Sequence, residues 1–454
     1  MSTKITTVNP YNNETLKEYD LYSEKKIDSI LKIADRRFLE WKKVSIKDRC
    51  RLLTNVAQIL EDDKQEYAEQ MTLEMGKPII QSIAEIEKCA TLCDFYSTNA
   101  DDFLADELIE TDADESFISY DPLGCILGVM PWNYPFWQVM RFAIPTMTAG
   151  NTVILKHASN VAGCSLMIEK LFEKAGYPKG CFQTILAGHD VIEKLLANDI
   201  IKAVSLTGSE KAGRTIAEIA GKNLKKCVLE LGGNNACIVL DDADLDAHFE
   251  TMFNARMQNS GQSCIAAKRF IVTDGIYNDF MKRFKAKTKS LKFEDPMKPS
   301  TDIGTLARKD LADILKKQVD ASIKKGAKLI VGNTQHRAYF EPTILENVTP
   351  GMPVFDDETF GPVAAIIRAS TTEEAFKLAM NTKFGLGTMV FTKDTEQAQK
   401  FIDDIQDGAY FVNELVKSDA RLPFGGTKIS GYGRELSKEG IHEFVNKKTV
   451  YIKK

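Results

Sequence analysis

No stretch of the 454 residues supplies the roughly 20 consecutive apolar residues that a membrane span requires. The opening Met-Ser-Thr-Lys-Ile-Thr-Thr-Val-Asn-Pro has no apolar run resembling a signal peptide, so a cytoplasmic enzyme is expected. Neither sign of charge forms a long block: Lys+Arg 59 stand against Asp+Glu 64, a formal net charge of -5. Nothing here favours a nucleic-acid or membrane partner. The nine cysteines, at 50, 89, 93, 125, 164, 181, 227, 237 and 264, are odd in number and show neither CxxC spacing nor a nearby histidine pair. That argues against a disulfide framework and against a zinc site. Asp242-Ala-Asp244-Leu-Asp246 imitates a calcium loop but has Ala247 and Phe253 where that loop needs glycine and glutamate, so it reads as a solvated helix start and no metal is expected. A G-x-G-x-x-G fingerprint, internal repeats and low-complexity tracts are missing too. Gly431-Tyr-Gly433 is only half of such a fingerprint.

What is present is the composition of a globular chain, 44% hydrophobic and 27% charged, long enough for two or three lobes with separate cores. Ile27, Ile30, Leu31, Ala34, Phe38 and Trp41 recur at the spacing of one buried helical stripe, as do Leu52, Leu53, Val56, Ala57 and Leu60. A third helix stops at Met75-Gly76-Lys77-Pro78, and a fourth runs from about Ile79 towards Tyr96. The first hundred residues therefore read as a helical cover. Residues 115–121 alternate as a half-exposed strand that could pair with another subunit. Beyond Pro122, short apolar runs at 125–130, 152–155, 182–186, 203–206 and 226–231 are mostly separated by helical patterns such as 162–174 and 191–197. Such alternation implies βαβ units and a mostly parallel sheet. A second series, with strands at 236–240, 270–273, 328–331 and 363–367 and helices at 245–259, 277–291 and 309–324, implies another α/β lobe, divided from the first near Gly232-Gly233.

Several motifs carry chemistry. Asn259-Ser-Gly-Gln-Ser-Cys264 sets one thiol in a polar, small-residue segment that a substrate could approach, although a cysteine taken alone is more often a small buried hydrophobe. Thr207-Gly208-Ser209-Glu-Lys-Ala-Gly213 follows a strand and opens a helix, where backbone N–H groups could receive a phosphate or merely cap the helix. Glu230 ends an apolar strand beside Gly232-Gly233, on the side of a parallel sheet where ligands bind, and could serve as a general base or cap a helix. Asn133, held between Pro131-Trp132 and Pro135, offers a fixed amide to an oxyanion, or is a turn asparagine. Arg141 could bind an anionic substrate end or sit in a surface ion pair. Lys156 and Ser159 suit a ribose or its phosphate, though a lysine after a strand is unremarkable.

Taken together, Pro131-Trp-Asn133, Lys156, Thr207-Gly-Ser209, Glu230-Leu-Gly-Gly, Gly261-Gln-Ser-Cys264, Glu358-Thr-Phe360-Gly-Pro and Pro423-Phe-Gly-Gly resemble the aldehyde dehydrogenase superfamily in order and spacing, over nearly the whole chain. The resemblance implies an α/β fold: a doubly wound, Rossmann-like cofactor domain at 1–110 and 124–231, an α/β catalytic domain at 232–424, and a small β oligomerisation element at 111–123 and 436–454 serving a homo-dimer or homo-tetramer. It implies that Cys264 attacks the aldehyde, that Asn133 and the Cys264 N–H hold the oxyanion, and that Glu230 activates water. Glu358 would hold the nicotinamide ribose with Phe360 near the ring, and Gly208 and Ser209 would lie by the pyrophosphate. Pro131, Trp132, Lys156, Ser159, Thr207, Gly213 and Leu231 complete the expected cofactor contacts.

The local sequence is most similar to bacterial succinate-semialdehyde dehydrogenases. That likeness implies a small aldehyde substrate whose carboxylate meets Arg141 and Ser418, or Arg421 if the register of 417–421 differs, with Trp137 and Ser263 as further substrate contacts. Many NAD-selective relatives have glutamate where Ser159 stands, so NADP is the expected cofactor and NAD the alternative. No second cysteine adjoins Cys264, so no local disulfide latch is expected. The alternative substrate is another small aldehyde, such as lactaldehyde or a medium-chain aliphatic aldehyde. Outside this class stand a cysteine hydrolase that uses no dinucleotide and a catalytically silent protein on the same fold.

Overall fold

The first parallel sheet runs in the order Phe182–Thr184, Thr152–His157, Cys125–Met130, Ile201–Thr207, Lys226–Glu230, with Gly431–Tyr432 added antiparallel at the end, in a computed structural model that describes residues 3–454. Cys125–Met130 is earliest in the chain yet lies between Thr152–His157 and Ile201–Thr207. The strand order therefore reverses beside it, and a crevice opens beyond the carboxyl ends of Cys125–Met130 and Ile201–Thr207. Pro131, Trp132 and Asn133 leave one of these strand ends, and Gly208 and Ser209 leave the other.

The chain passes through residues 231–235 into a second sheet, ordered Lys328–Val331, Thr343–Glu346, Val363–Ala369, Arg269–Thr273, Ala236–Val239, Thr388–Phe391, Tyr410–Val412. Only the edge strand Lys328–Val331 is antiparallel. Its central strands are buried on both faces, as parallel strands between helices must be.

Helices Glu24–Trp41, Ile46–Asp62, Lys64–Met75 and Ile79–Leu104 cover the first sheet. Ser23 and Ser45 cap the first two by accepting from the N–H groups of Lys26 and Asp48. The third ends at Gly76, whose φ of 74° is left-handed. The helical cover is not the whole of the first hundred residues, because an antiparallel hairpin, Lys4–Val8 with Thr15–Asp20, precedes it. Both strands are largely exposed and show no clean apolar face, so they leave little trace in the hydrophobic pattern.

Glu115–Pro122 pairs along its length with Val445–Ile452 and, on its other edge, with Glu107–Leu108. Before that last strand, Leu436, Ile441 and Phe444 are buried in the main core, and helix Ser437–His442 lies against Tyr96, whose hydroxyl donates to the Ser437 carbonyl. Among the described residues, no helix is long and apolar enough to cross a membrane.

Candidate active site

Helix Leu245–Met257 ends in a turn whose next residues bend sharply: Asn259, Ser260 and Gly261 have φ of 55°, 52° and 72°. Asparagine and glycine enter this left-handed region readily. Ser260 is held there by donating to the Gly304 carbonyl and accepting from the Gly304 N–H. At Gly261 a Cβ would stand 2.4 Å from the backbone of Gly361, so no larger residue fits.

Two buried cations fasten the segment that follows. Arg256 donates to the carbonyls of Gly261 and Ala267. Lys268 Nζ reaches the carbonyls of Ser263 at 2.7 Å and Cys264 at 2.5 Å, and Glu358 Oε1 at 3.1 Å. Asn133 approaches from the opposite side: its Nδ2 donates to the Gln262 carbonyl at 3.1 Å, and its own carbonyl accepts from Asn259 Nδ2 at 2.8 Å. An amide nitrogen carries two hydrogens, so one hydrogen of Asn133 is left for a ligand.

Cys264 emerges half-buried between two cavities and lines both. The larger, about 1180 Å³, is also lined by Pro131, Trp132, Asn133, Ser159, Thr207, Gly208, Ser209, Leu231, Glu358 and Phe360. It exceeds the roughly 300–1,000 Å³ usual for small-ligand pockets and suits a dinucleotide. The start of helix Glu210–Lys222, capped by Ser209, opens onto it and favours an anion there. Glu358 is steadied by the Gly233 N–H and by Lys268, and a Cβ on Gly232 would come within 2.3 Å of its Oε2. Trp132 and Phe360 meet edge to face with centroids 5.7 Å apart.

Two expected cofactor contacts stand back from this cavity. Gly213 packs against Leu231, where a Cβ would meet the leucine at 2.6 Å, so its lack of a side chain serves helix packing. Lys156 is buried beside the cavity, near His189 and Asp190, and burial pushes its ammonium down to about 8.

The smaller cavity, about 300 Å³, brings together Trp137, Arg141, Ser263 and Ser418. Arg141 lies over the Phe424 ring and forms a buried ion pair with Glu435. Arg421 points elsewhere: it is exposed and grips Asp419.

Glu230 lines neither cavity. It is buried with both carboxyl oxygens unpartnered, and burial, reinforced by Glu435, raises its carboxyl well above the usual range while Arg141 and Arg434 oppose this. The Cys264 thiol is likewise raised by burial, with Lys268 and then Arg141 opposing. Lys88 and Arg256 also shape the site although no motif marks them, since a charged residue inside a helical pattern reads as surface, and Lys268 and Glu435, at the ends of the segments around Cys264 and Gly431-Tyr-Gly433, carried no assigned role in the sequence. Among the described residues, no group of three or more His, Cys, Asp or Glu is placed to hold a metal.

The family model described as "Aldehyde dehydrogenase family" matches residues 1–450. The chain belongs to the aldehyde dehydrogenase family.

Among relatives of this dehydrogenase is a Synechocystis sp. protein named "Probable succinate-semialdehyde dehydrogenase" with NADP(+) as the stated cofactor. It is 48% identical over 452 residues, with 99% of each chain covered. A Mycobacterium bovis protein named succinate-semialdehyde dehydrogenase 1, also with NADP(+), is 43% identical over 454 residues with the same coverage. Among solved structures, a succinic semialdehyde dehydrogenase from Streptococcus pyogenes in complex with NADP+ superposes with a TM-score of 0.97 at 37% identity, covering 99% of this chain and 100% of the other.

Proposed function

We propose that this aldehyde dehydrogenase oxidises succinate semialdehyde to succinate with NADP(+), through a cysteine thiohemiacetal and a thioester. The observation that carries the reading is the position of Cys264 between a dinucleotide-sized cavity and a small cavity bearing cationic and hydroxyl groups. The Synechocystis, Mycobacterium bovis and Streptococcus pyogenes names agree with it.

In this reading the Cys264 thiolate adds to the aldehyde carbon, and the free Asn133 amide hydrogen with the Cys264 N–H meets the resulting oxyanion. Donors aimed in advance at a developing charge lower the barriers to both forming and collapsing it. NADP(+), when bound, would supply the hydride acceptor, and loss of hydride from the thiohemiacetal carbon on Cys264 gives the thioester. Glu358 would hold the nicotinamide ribose, Gly208 and Ser209 would flank the pyrophosphate, and Ser159 would take the ribose phosphate, with Lys156 buried just behind it, where that negative charge would restore the lysine's proton affinity. Glu230, once ionised, removes a proton from the water that cleaves the thioester and frees the acid and Cys264.

Steady-state rates with succinate semialdehyde and with butanal, each with NADP(+) and NAD(+), test the assignment. A kcat/KM for the charged aldehyde at least about tenfold above that for butanal is expected, and equal values would turn the reading to another small aldehyde such as lactaldehyde.

We further infer a homo-dimer or homo-tetramer joined through the antiparallel strands Glu115–Pro122 and Val445–Ile452, beside which Leu108 is 80% exposed. Light scattering would give a single subunit mass if this is wrong. The nine free thiols, all buried except Cys264, suit a reducing cytoplasm, which cell fractionation would check.

A further inference from the structure

The small cavity contains a cation that has no partner carboxylate. Arg141 is already neutralised by Glu435. Lys88, on helix Ile79–Leu104, also lines this cavity and is half-buried, yet it forms no ion pair among the described residues. Its carboxylate neighbours are committed elsewhere: Glu85 to Lys77 and to the N–H groups of Phe136 and Trp137, and Asp419 to Arg421.

What Lys88 does touch is Ser418, whose Oγ accepts from Lys88 Nζ at 2.9 Å and from Trp137 Nε1 at 3.0 Å. Lysine and indole nitrogens only donate, and a hydroxyl oxygen has two lone pairs and one hydrogen. With both lone pairs filled, the Ser418 O–H can act only as a donor, and it has no acceptor among the described residues. Lys88 also sits 4.0 Å from the Trp137 ring centroid, which fixes its direction without neutralising it. An ammonium and a hydroxyl oriented to donate therefore converge on this cavity, and neither donates to a carboxylate among the described residues.

We propose that Lys88 is the principal charge receptor for the substrate, its ammonium binding the distal carboxylate together with the Ser418 hydroxyl. This rests on the succinate-semialdehyde reading above and adds to it the group that selects the charge. Arg141, paired with Glu435, contributes shape and a dipole but little net charge. Burial, and after it Arg141, hold the Lys88 ammonium down to about 8 against the opposing pull of Cys89, Glu85 and Asp419. A bound carboxylate would relieve that cost.

The test is KM and kcat for succinate semialdehyde and for butanal in the full-length parent, Lys88→Met and Lys88→Arg. Losing a charge-assisted contact should raise KM for succinate semialdehyde roughly ten- to hundredfold in Lys88→Met, with kcat within about twofold and butanal kinetics unchanged. Lys88→Arg should recover most of the loss, and normal butanal turnover shows that each variant is folded. A parent with no preference between the two aldehydes overturns the proposal together with the substrate reading. A parent that prefers succinate semialdehyde, with that preference intact in Lys88→Met or with both KM values rising alike, overturns the proposal alone.

Discussion

Replacing Lys268 with methionine keeps most of the apolar stem of the side chain and removes the ammonium, with its charge and its three hydrogens. The ammonium has three hydrogens and three acceptors, the carbonyls of Ser263 and Cys264 and Glu358 Oε1, and its side chain is fully buried. Breaking a fully buried pair costs about 3–5 kcal/mol. Glu358 retains 21% side-chain exposure and the Gly233 N–H, so the expected loss lies at the lower end, about 3 kcal/mol. A denaturant titration should show it as a lower midpoint with an unchanged slope.

The chemical consequence is separate. Lys268 is the leading cation opposing the rise of the Cys264 thiol. A positive charge favours thiolate, so its removal must move the thiol pKa further up. The rate of Cys264 alkylation by iodoacetamide as a function of pH reports this directly, because the other eight of the nine cysteines are buried. The rise in rate should begin at a higher pH in Lys268→Met than in the parent. An unchanged profile, or one moved to lower pH, would refute the idea that this ammonium tunes the nucleophile.

Glu230→Gln should keep a rapid burst of NADPH while slowing turnover by roughly 10²–10⁴-fold, and an unchanged steady-state rate would remove Glu230 from the base role. In the parent, a base must be ionised to act and this carboxyl is raised by burial, so thioester hydrolysis should fail on acidification at a higher pH than an ordinary glutamate allows; single-turnover rates across pH check this. Ser159→Glu should lower kcat/KM for NADP(+) by about tenfold or more relative to NAD(+), since a carboxylate there repels the ribose phosphate, and equal NADP(+) efficiency before and after would exclude Ser159. With Lys88 near 8, KM for succinate semialdehyde should climb as pH rises through that region while KM for butanal stays flat, with Lys88→Arg abolishing the climb.

The parallel strands of the first sheet and three of the second were legible as short apolar runs ending in turns, whereas Thr343–Glu346, Thr388–Phe391 and Tyr410–Val412, three or four residues each, were too short to stand out. Asn133 leaves the end of Cys125–Met130 on such a turn, whereas Cys264 and Glu358 precede Arg269–Thr273 and Val363–Ala369, and their motifs rather than the strand pattern marked them. Other features escaped as well. The hairpin Lys4–Val8 with Thr15–Asp20 buries too little to impose a period. The helical pattern read as 245–259 ends instead at Met257, because left-handed Asn259 and Ser260 turn the chain towards Cys264. Lys88 and Glu85 lie on one face of a helix, a spacing that reads as a solvated pair, whereas Glu85 is buried against the N–H groups of another helix and Lys88 is left to the cavity.

The edge strand Gly431–Tyr432 and its neighbour Glu435 also bear on how the molecule is made. The Ser205 hydroxyl reaches Glu435 across 230 positions of chain, and the partner of buried Arg141 is that same late glutamate. During synthesis the first sheet emerges long before the residues that close its edge and neutralise its arginine. Closing so wide a loop is entropically slow. The nascent sheet thus spends that interval with an open strand edge and an uncompensated charge, the state most exposed to mispairing and most in need of chaperone cover.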